Sequence, residues 1–175
     1  LGVLEGDRAL SACVDAPIPV LSTAMSPAAV RRAAACGAGI LFDGGSNPER
    51  LRTLSDAYVA AGGTGARSLI RRVWLGEPPA AAFEAQFDVY RSYSTDEALS
   101  HWRGNGWICG DDADALATEL VDAMRITNTT CLNLRIHAVG IEPAAAREQI
   151  TALGTEVVPR VRRALAQSSP TPSRS

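Results

Sequence analysis

A fourfold alternation constrains this chain more than any other feature of its sequence. Short apolar runs are followed by longer stretches whose apolar residues recur every three or four positions. The first kind reads as a buried strand and the second as an amphipathic helix. The strand readings are residues 18–24, 38–43, 68–75 and 130–138. Each helix has a start signal: Ser26 before Pro27, Asn47 before Pro48, Asp111 or Asp112, and Pro143. Gly37 ends the first helix, and Gly62 with Gly63 ends the second. The inward stripes are Val30, Ala33 and Ala34; Leu51, Leu54, Tyr58 and Ala61; Leu116, Leu120, Val121 and Met124; and Ile150, Leu153, Val157, Val161 and Leu165. Pro159 lies inside the last of these and predicts a kink. Between residues 78 and 110 the pattern is weaker. Most aromatics gather there, with helical segments near 81–90 and 96–102.

Alternating strands and helices predict an α/β fold with a parallel sheet. Four βα units are half of an eight-stranded βα, or TIM, barrel. The expectation is therefore a partial barrel over residues 17–166, after an N-terminal segment 1–16 and before a polar, disordered tail 167–175. An open four-stranded sheet is the alternative. The sequence begins at Leu1, and the chain is expected to be part of a longer one.

Composition narrows the chemistry. All 17 basic residues are Arg. Without Lys, this chain cannot supply a Schiff-base or lysine nucleophile. A net charge of −2 gives no reason to expect nucleic acid or an anionic membrane as partner. No apolar run approaches the ~18 residues that span a bilayer. Cys13, Cys36, Cys109 and Cys131 have spacings that suit neither zinc nor a disulfide framework, so they read as small, mostly buried residues of a cytoplasmic protein. The "GDDAD" at Gly110 lacks a cation-loop spacing and reads as an acidic helix start; no metal is expected. His101, beside Trp102, reads as packing or surface. No G-x-G-x-x-G, P-loop, G-x-S-x-G or H-E-x-x-H pattern occurs.

In a parallel βα fold, ligands gather where strands end. That rule selects residues 23–26, 42–45, 74–77 and 137–140. At the first, Thr23, Ala24, Met25 and Ser26 lead into a helix whose free N–H groups attract phosphate, although Ser26 can equally cap its own helix. Before the last, the side chains alternate. Leu132, Leu134, Ile136 and Ala138 share one face; Cys131, Asn133, Arg135 and His137 share the other. In a barrel that polar face points inward, where Arg135 and His137 need partners: a polar ligand or an interior network. Trp74 shares a face with Arg72, and reads either as a stacking surface for a planar ring or as core.

Three stretches carry a family resemblance: "PIPVLSTAMSPAAVRRAAACGAGILFDG", "AYVAAGGTGARSLIRRVWLGEP" and "LNLRIHAVGIEPAAAREQITALGTEVVPRVR". Together they resemble the C-terminal half of the luciferase-like monooxygenases, flavin- and deazaflavin-dependent oxidoreductases, and follow the order of that family's fifth to eighth strands. The resemblance implies a barrel that binds FMN, or alternatively a deazaflavin coenzyme, and acts on a small-molecule substrate. It implies that residues 23–26 contact the cofactor phosphate. Some relatives carry a second hydroxyl residue three positions after the serine; Ala29 stands there in this chain, so one phosphate contact is missing. The first four strands, which also hold the flavin ring in relatives, do not appear in this sequence. A homo-oligomer or a missing N-terminal half is therefore expected. The rival reading is a non-catalytic half-barrel used for binding or oligomerisation. No catalytic residue is assigned.

Overall fold

The computed structural model describes residues 6–95 and 107–168. The readings at residues 96–102, at His101 and along most of the tail lie outside them. The elements in order are α1 (Arg8–Asp15), β1 (Leu21–Ser22), α2 (Pro27–Ala35), β2 (Gly39–Phe42), α3 (Pro48–Ala60), β3 (Arg67–Leu75) and α4 (Ala80–Tyr93). They continue with β4 (Trp107–Gly110), α5 (Ala113–Thr127), β5 (Cys131–Arg135), α6 (Pro143–Ala152), a π-helical turn (Leu153–Val157) and α7 (Val158–Ser168). The helix α7 takes in Gln167 and Ser168, which were expected in the disordered tail.

All five strands are parallel. β1, β2, β3 and β5 pair in sequence order, as four βα units predict. β4 is the strand that the pattern did not reveal. Backbone groups along β3 point alternately to its two edges. Ala66 O accepts from Ile40 N of β2, and Gly76 N donates to Gly110 O of β4, so β2 and β4 share one edge. β4 continues that edge beyond the end of β2. On the opposite edge β5 pairs with residues 68–72. Past its end, the Gln149 side chain takes over: Nε2 donates to Leu75 O at 2.7 Å, and Oε1 accepts from Leu75 N at 3.0 Å.

One face of the sheet carries the core. Ile40, Phe42 and Leu69 pack with Val30 and Ala33 of α2 and with Leu51, Leu54 and Tyr58 of α3. Val73 and Ile108 pack with Leu116, Leu120 and Val121 of α5 and with Leu153, Val157 and Val161. These are the predicted stripes, with two corrections: Ala61 is the exposed C-cap of α3, one residue past the end of the helix, and Ile150 lies off its stripe. Ile150 is 62% exposed. The π-helical turn inserts an extra residue within the stripe, between Leu153 and Val157, which rotates the face before it by about 100° relative to the face of α7. The wide turn directly precedes Pro159, the residue that predicted a kink, and Val158 N bonds back to Leu153 O across it.

Of the four predicted strands, β3 gains Arg67 and the other three are shorter than predicted. β1 covers only Leu21–Ser22, because Pro17 and Pro19 have no N–H to donate to a ladder. β5 ends at Arg135, so His137 lies beyond it. The cysteines are free; Cys36 is exposed and the other three are half-buried, rather than mostly buried. No helix among the described residues is long and apolar enough to cross a membrane, and no described cluster of His, Cys, Asp or Glu could hold a metal.

Candidate functional site

The C-terminal ends of β1 and β2 are brought together by one side chain. Arg50 Nη2, from the first turn of α3, donates to Met25 O at 2.9 Å. The predicted 23–26 loop therefore adjoins the 43–47 loop. Within the first, Ala24 is fully buried in the core, Met25 is half-buried, and Thr23 and Ser26 are exposed. Ser26 Oγ accepts from Ala29 N at 3.3 Å and caps α2. Its hydroxyl thus satisfies one of the free N–H groups that a phosphate would otherwise meet.

The second loop is built around Asp43. Its Oδ1 accepts from Gly45 N at 2.9 Å and Ser46 N at 2.8 Å, and its Oδ2 accepts from Ser46 Oγ at 3.2 Å. Gly44 is needed because a Cβ there would sit 2.9 Å from Ile70 O of β3. Asn47 Oδ1 then caps α3, accepting from the N–H groups of Glu49 and Arg50. Ser46, Asn47, Glu49, Arg50 and Thr53 line an open depression of about 470 Å³. The Ser46 hydroxyl already donates to Asp43 and Asn47 already caps the N–H groups of Glu49 and Arg50, so the donor here that suits an oxyanion is the Arg50 guanidinium. Glu49 is the one carboxylate on its wall. Arg50 is the residue that sequence reading missed; only its place in the first turn after the second strand could have flagged it.

The sheet face away from the core holds the other predicted residues. Arg72 pairs in register with Trp107 on one side and Arg135 on the other. Arg72 is fixed in place: Nη2 donates to Tyr90 Oη at 2.9 Å, and its guanidinium lies 5.7 Å from the Tyr90 ring centroid and 6.0 Å from that of Trp107. Trp107 stacks on Phe83 of α4 with centroids 3.7 Å apart. Gln86 Oε1 accepts from Val139 N at 3.2 Å, so α4 reaches from the end of β3 to the segment after β5. Trp74, two residues beyond Arg72 on the same face, is only 7% exposed, which leaves its ring little surface on which a ligand could stack. Asn133, Arg135 and His137 are exposed. The argument that burial forces Arg135 and His137 to find partners therefore does not apply to this chain, whose polar face is open.

The buried guanidinium is instead that of Arg71, on the helix-facing side at 9% exposure. It lies on β3 between Leu69 of one core cluster and Val73 of the other, and Nη1 donates to Ile70 O at 3.0 Å. Burial pulls its pKa down, while the charges of Asp43 and Glu119 push it up. Arg71 thus places a counter-charge to Asp43 below the loop that Asp43 organises.

No protein-family model matches the chain, and no curated protein matches it. Solved structures do. The chain is similar to the monooxygenase RslO1 from Streptomyces bottropensis, with a TM-score of 0.54 and 17% identity over 81% of this chain and 47% of that one. It is also similar to a type II Baeyer–Villiger monooxygenase, the oxygenating constituent of 3,6-diketocamphane monooxygenase from the CAM plasmid of Pseudomonas putida, in complex with FMN. There the TM-score is 0.52 and the identity 15%, over 82% of this chain and 48% of that one. The chain thus spans about half the length of these relatives, and the likeness is one of fold: a parallel α/β architecture shared with half of a monooxygenase.

Proposed function

We propose that this chain is part of a flavin-dependent oxidoreductase, of the luciferase-like monooxygenase kind, and that it holds the phosphate end of FMN or of a deazaflavin coenzyme. The observation that carries the reading is the fold likeness to an FMN-bound monooxygenase. The donor set at the ends of β1 and β2 supports it. The Arg50 guanidinium offers charge-assisted bonds to a phosphate, which offsets the contact missing at Ala29. A bound flavin would supply hydride transfer or dioxygen activation, which no side chain here can perform. The chain's own part is to bind and orient. Arg135, Asn133 and His137 face the region a substrate would occupy, beside the Arg72–Trp107–Phe83 stack.

A second reading has its own support. Ser26 is already spent as a helix cap, and the face bearing Arg135 is open to solvent. Both fit a half-barrel that binds or assembles without catalysis.

Fluorescence titration of FMN into the purified chain tests the choice. The expected result is weak binding that inorganic phosphate competes away and that Arg50→Ala weakens about tenfold further, the value of one charge-assisted pair. FMN whose fluorescence and absorbance do not respond to the protein would sink the flavin reading and leave the second. Binding that ignores Arg50→Ala would move the phosphate site elsewhere.

A further inference from the structure

Arg71 brings a positive charge onto the apolar face of the sheet. An aliphatic side chain could fill that place without the cost of desolvating a charge. Part of the reason for an arginine lies in the sheet. Ala66 O accepts from Ile40 N, so the C=O groups of Ser68 and Ile70 point to the same edge of β3. On that edge β2 ends at Phe42, opposite Leu69, and β4 begins at Trp107, opposite Arg72. Ile70 and Arg71 lie in the gap between them. Arg71 Nη1 donates to Ile70 O at 3.0 Å and stands where the next donor of the ladder would be. That bond needs an N–H group but not a charge. Among the described residues the guanidinium makes no other hydrogen bond and no direct ion pair.

The loop above the gap accounts for the charge. Gly44 crosses it: a Cβ there would lie 3.8 Å from Arg71 Nη1 as well as 2.9 Å from Ile70 O. Asp43, the residue before, is one of the two carboxylates whose charge acts on Arg71, and Glu119 of α5 is the other. Glu119 is exposed, so solvent screens it. Asp43 is half-buried and gathers Gly45 N, Ser46 N and Ser46 Oγ around its carboxylate. Ser46 leads directly into Asn47, the cap of α3, and Arg50 stands in the first turn. We infer that Arg71 is a positioning residue for the candidate phosphate site: it draws the Asp43 carboxylate down over the gap between β2 and β4, and so fixes the loop from which Asn47 and Arg50 follow. The inference rests on the reading of that site as one for phosphate. An arginine that only completed the ladder at Ile70 O would act independently of Asp43. A positioning arginine acts through Asp43, and its effect depends on the charge there.

A double-mutant cycle on the full chain tests the inference, read by amide hydrogen exchange at Gly45 and Ser46 and by FMN titration. Arg71→Gln removes the charge and keeps a side-chain N–H donor. It is expected to speed exchange at both amides about tenfold and to raise the FMN dissociation constant about threefold, less than Arg50→Ala does. Arg71→Lys keeps the charge and should hold both readouts close to those of the unmodified chain. Asp43→Asn keeps an acceptor for both amides and removes the charge. In that background Arg71→Gln should change neither readout further. Far-UV circular dichroism checks that each variant is folded; if Arg71→Gln is not, Arg71→Met replaces it with the same expectations. Exchange that the Arg71 substitution leaves unchanged, or speeds equally in the Asp43→Asn background, overturns the inference. So does FMN binding that ignores a loosened loop. A chain that binds no FMN but shows the expected exchange pattern leaves Arg71 holding the loop and removes the flavin reading. FMN binding with unchanged exchange does the reverse.

Discussion

The two ends of the sheet are built differently. At the N-terminal end of the strands, neighbouring segments are tied by specific, partly buried bonds. Tyr58 Oη donates to Ala38 O before β2 and accepts from Gly65 N before β3, each at 2.9 Å. Arg67 Nε donates to Asn128 O at 2.7 Å, its backbone N–H donates to Thr130 Oγ1 at 3.0 Å, and Thr127 and Thr129 share a buried hydroxyl contact at 3.0 Å. At the C-terminal end the loops are organised internally, by Asp43 and by the caps of α2 and α3, and joined by the exposed Arg50. One end closes the fold. The other satisfies its loops from within and leaves Ser26 and Arg50 at the surface, at the strand ends where βα scaffolds generally bind.

The largest expected effect tests the closed end. Tyr58→Phe keeps the ring in the core but leaves Ala38 C=O and Gly65 N–H without their partner. Unpaired buried groups cost about 1–3 kcal/mol each, so chemical denaturation should show a loss of roughly 2–4 kcal/mol at unchanged denaturant slope. A loss below 0.5 kcal/mol, within the ordinary range for surface changes, would mean that water replaces the hydroxyl and that this end is not closed by Tyr58.

The open end should respond more weakly. Ser26→Ala removes the α2 cap and is expected to cost about 1 kcal/mol. Because the hydroxyl already bonds to Ala29 N, its removal should change FMN binding less than Arg50→Ala does. If Ser26→Ala abolishes binding while Arg50→Ala does not, the hydroxyl turns to the ligand, and the cap seen here gives way on binding.

The same contrast marks what the sequence could disclose. The core stripes were legible because period governs which side chains a helix or strand buries: Leu51, Leu54, Leu116, Leu120 and Val121 lie where their spacing put them. The caps at Ser26, Asn47 and Asp112 were legible because capping is local. Two kinds of feature were not. β4 is four residues long, and its place on the sheet depends on β3 offering an edge where β2 has stopped. Arg50 and Gln149 act across 25 and 74 residues of sequence, through bonds that exist only once the helices have docked. The polar face of β5 was read correctly as a face. Its burial was not, because a strand's own alternation says which side chains share a face but not what packs over it, and Asn133, Arg135 and His137 are exposed.

The smallest expected effect is electrostatic and again concerns the closed end. Asp56 of α3 accepts from Asn128 Nδ2 at 2.6 Å and pairs with Arg52 Nε at 2.9 Å. The Asn128 hydrogen bond first, and then the Arg52 bond, hold its carboxyl below the usual 3.8. A carboxyl lowered on folding stabilises the native state above its unfolded pKa, and that contribution disappears as pH falls through the folded value. The melting temperature of the unmodified chain should therefore exceed that of Asp56→Asn at neutral pH, with the gap closing only below about pH 4. Half of the Asp56 side chain is exposed, so solvent screens the pair and the gap should stay well under the loss at Tyr58→Phe. It should also shrink with added salt. A gap that persists unchanged at pH 2.5 would assign the role of Asp56 to the geometry of its bond with Asn128 rather than to its charge, and the closed end would then be held by neutral hydrogen bonds alone.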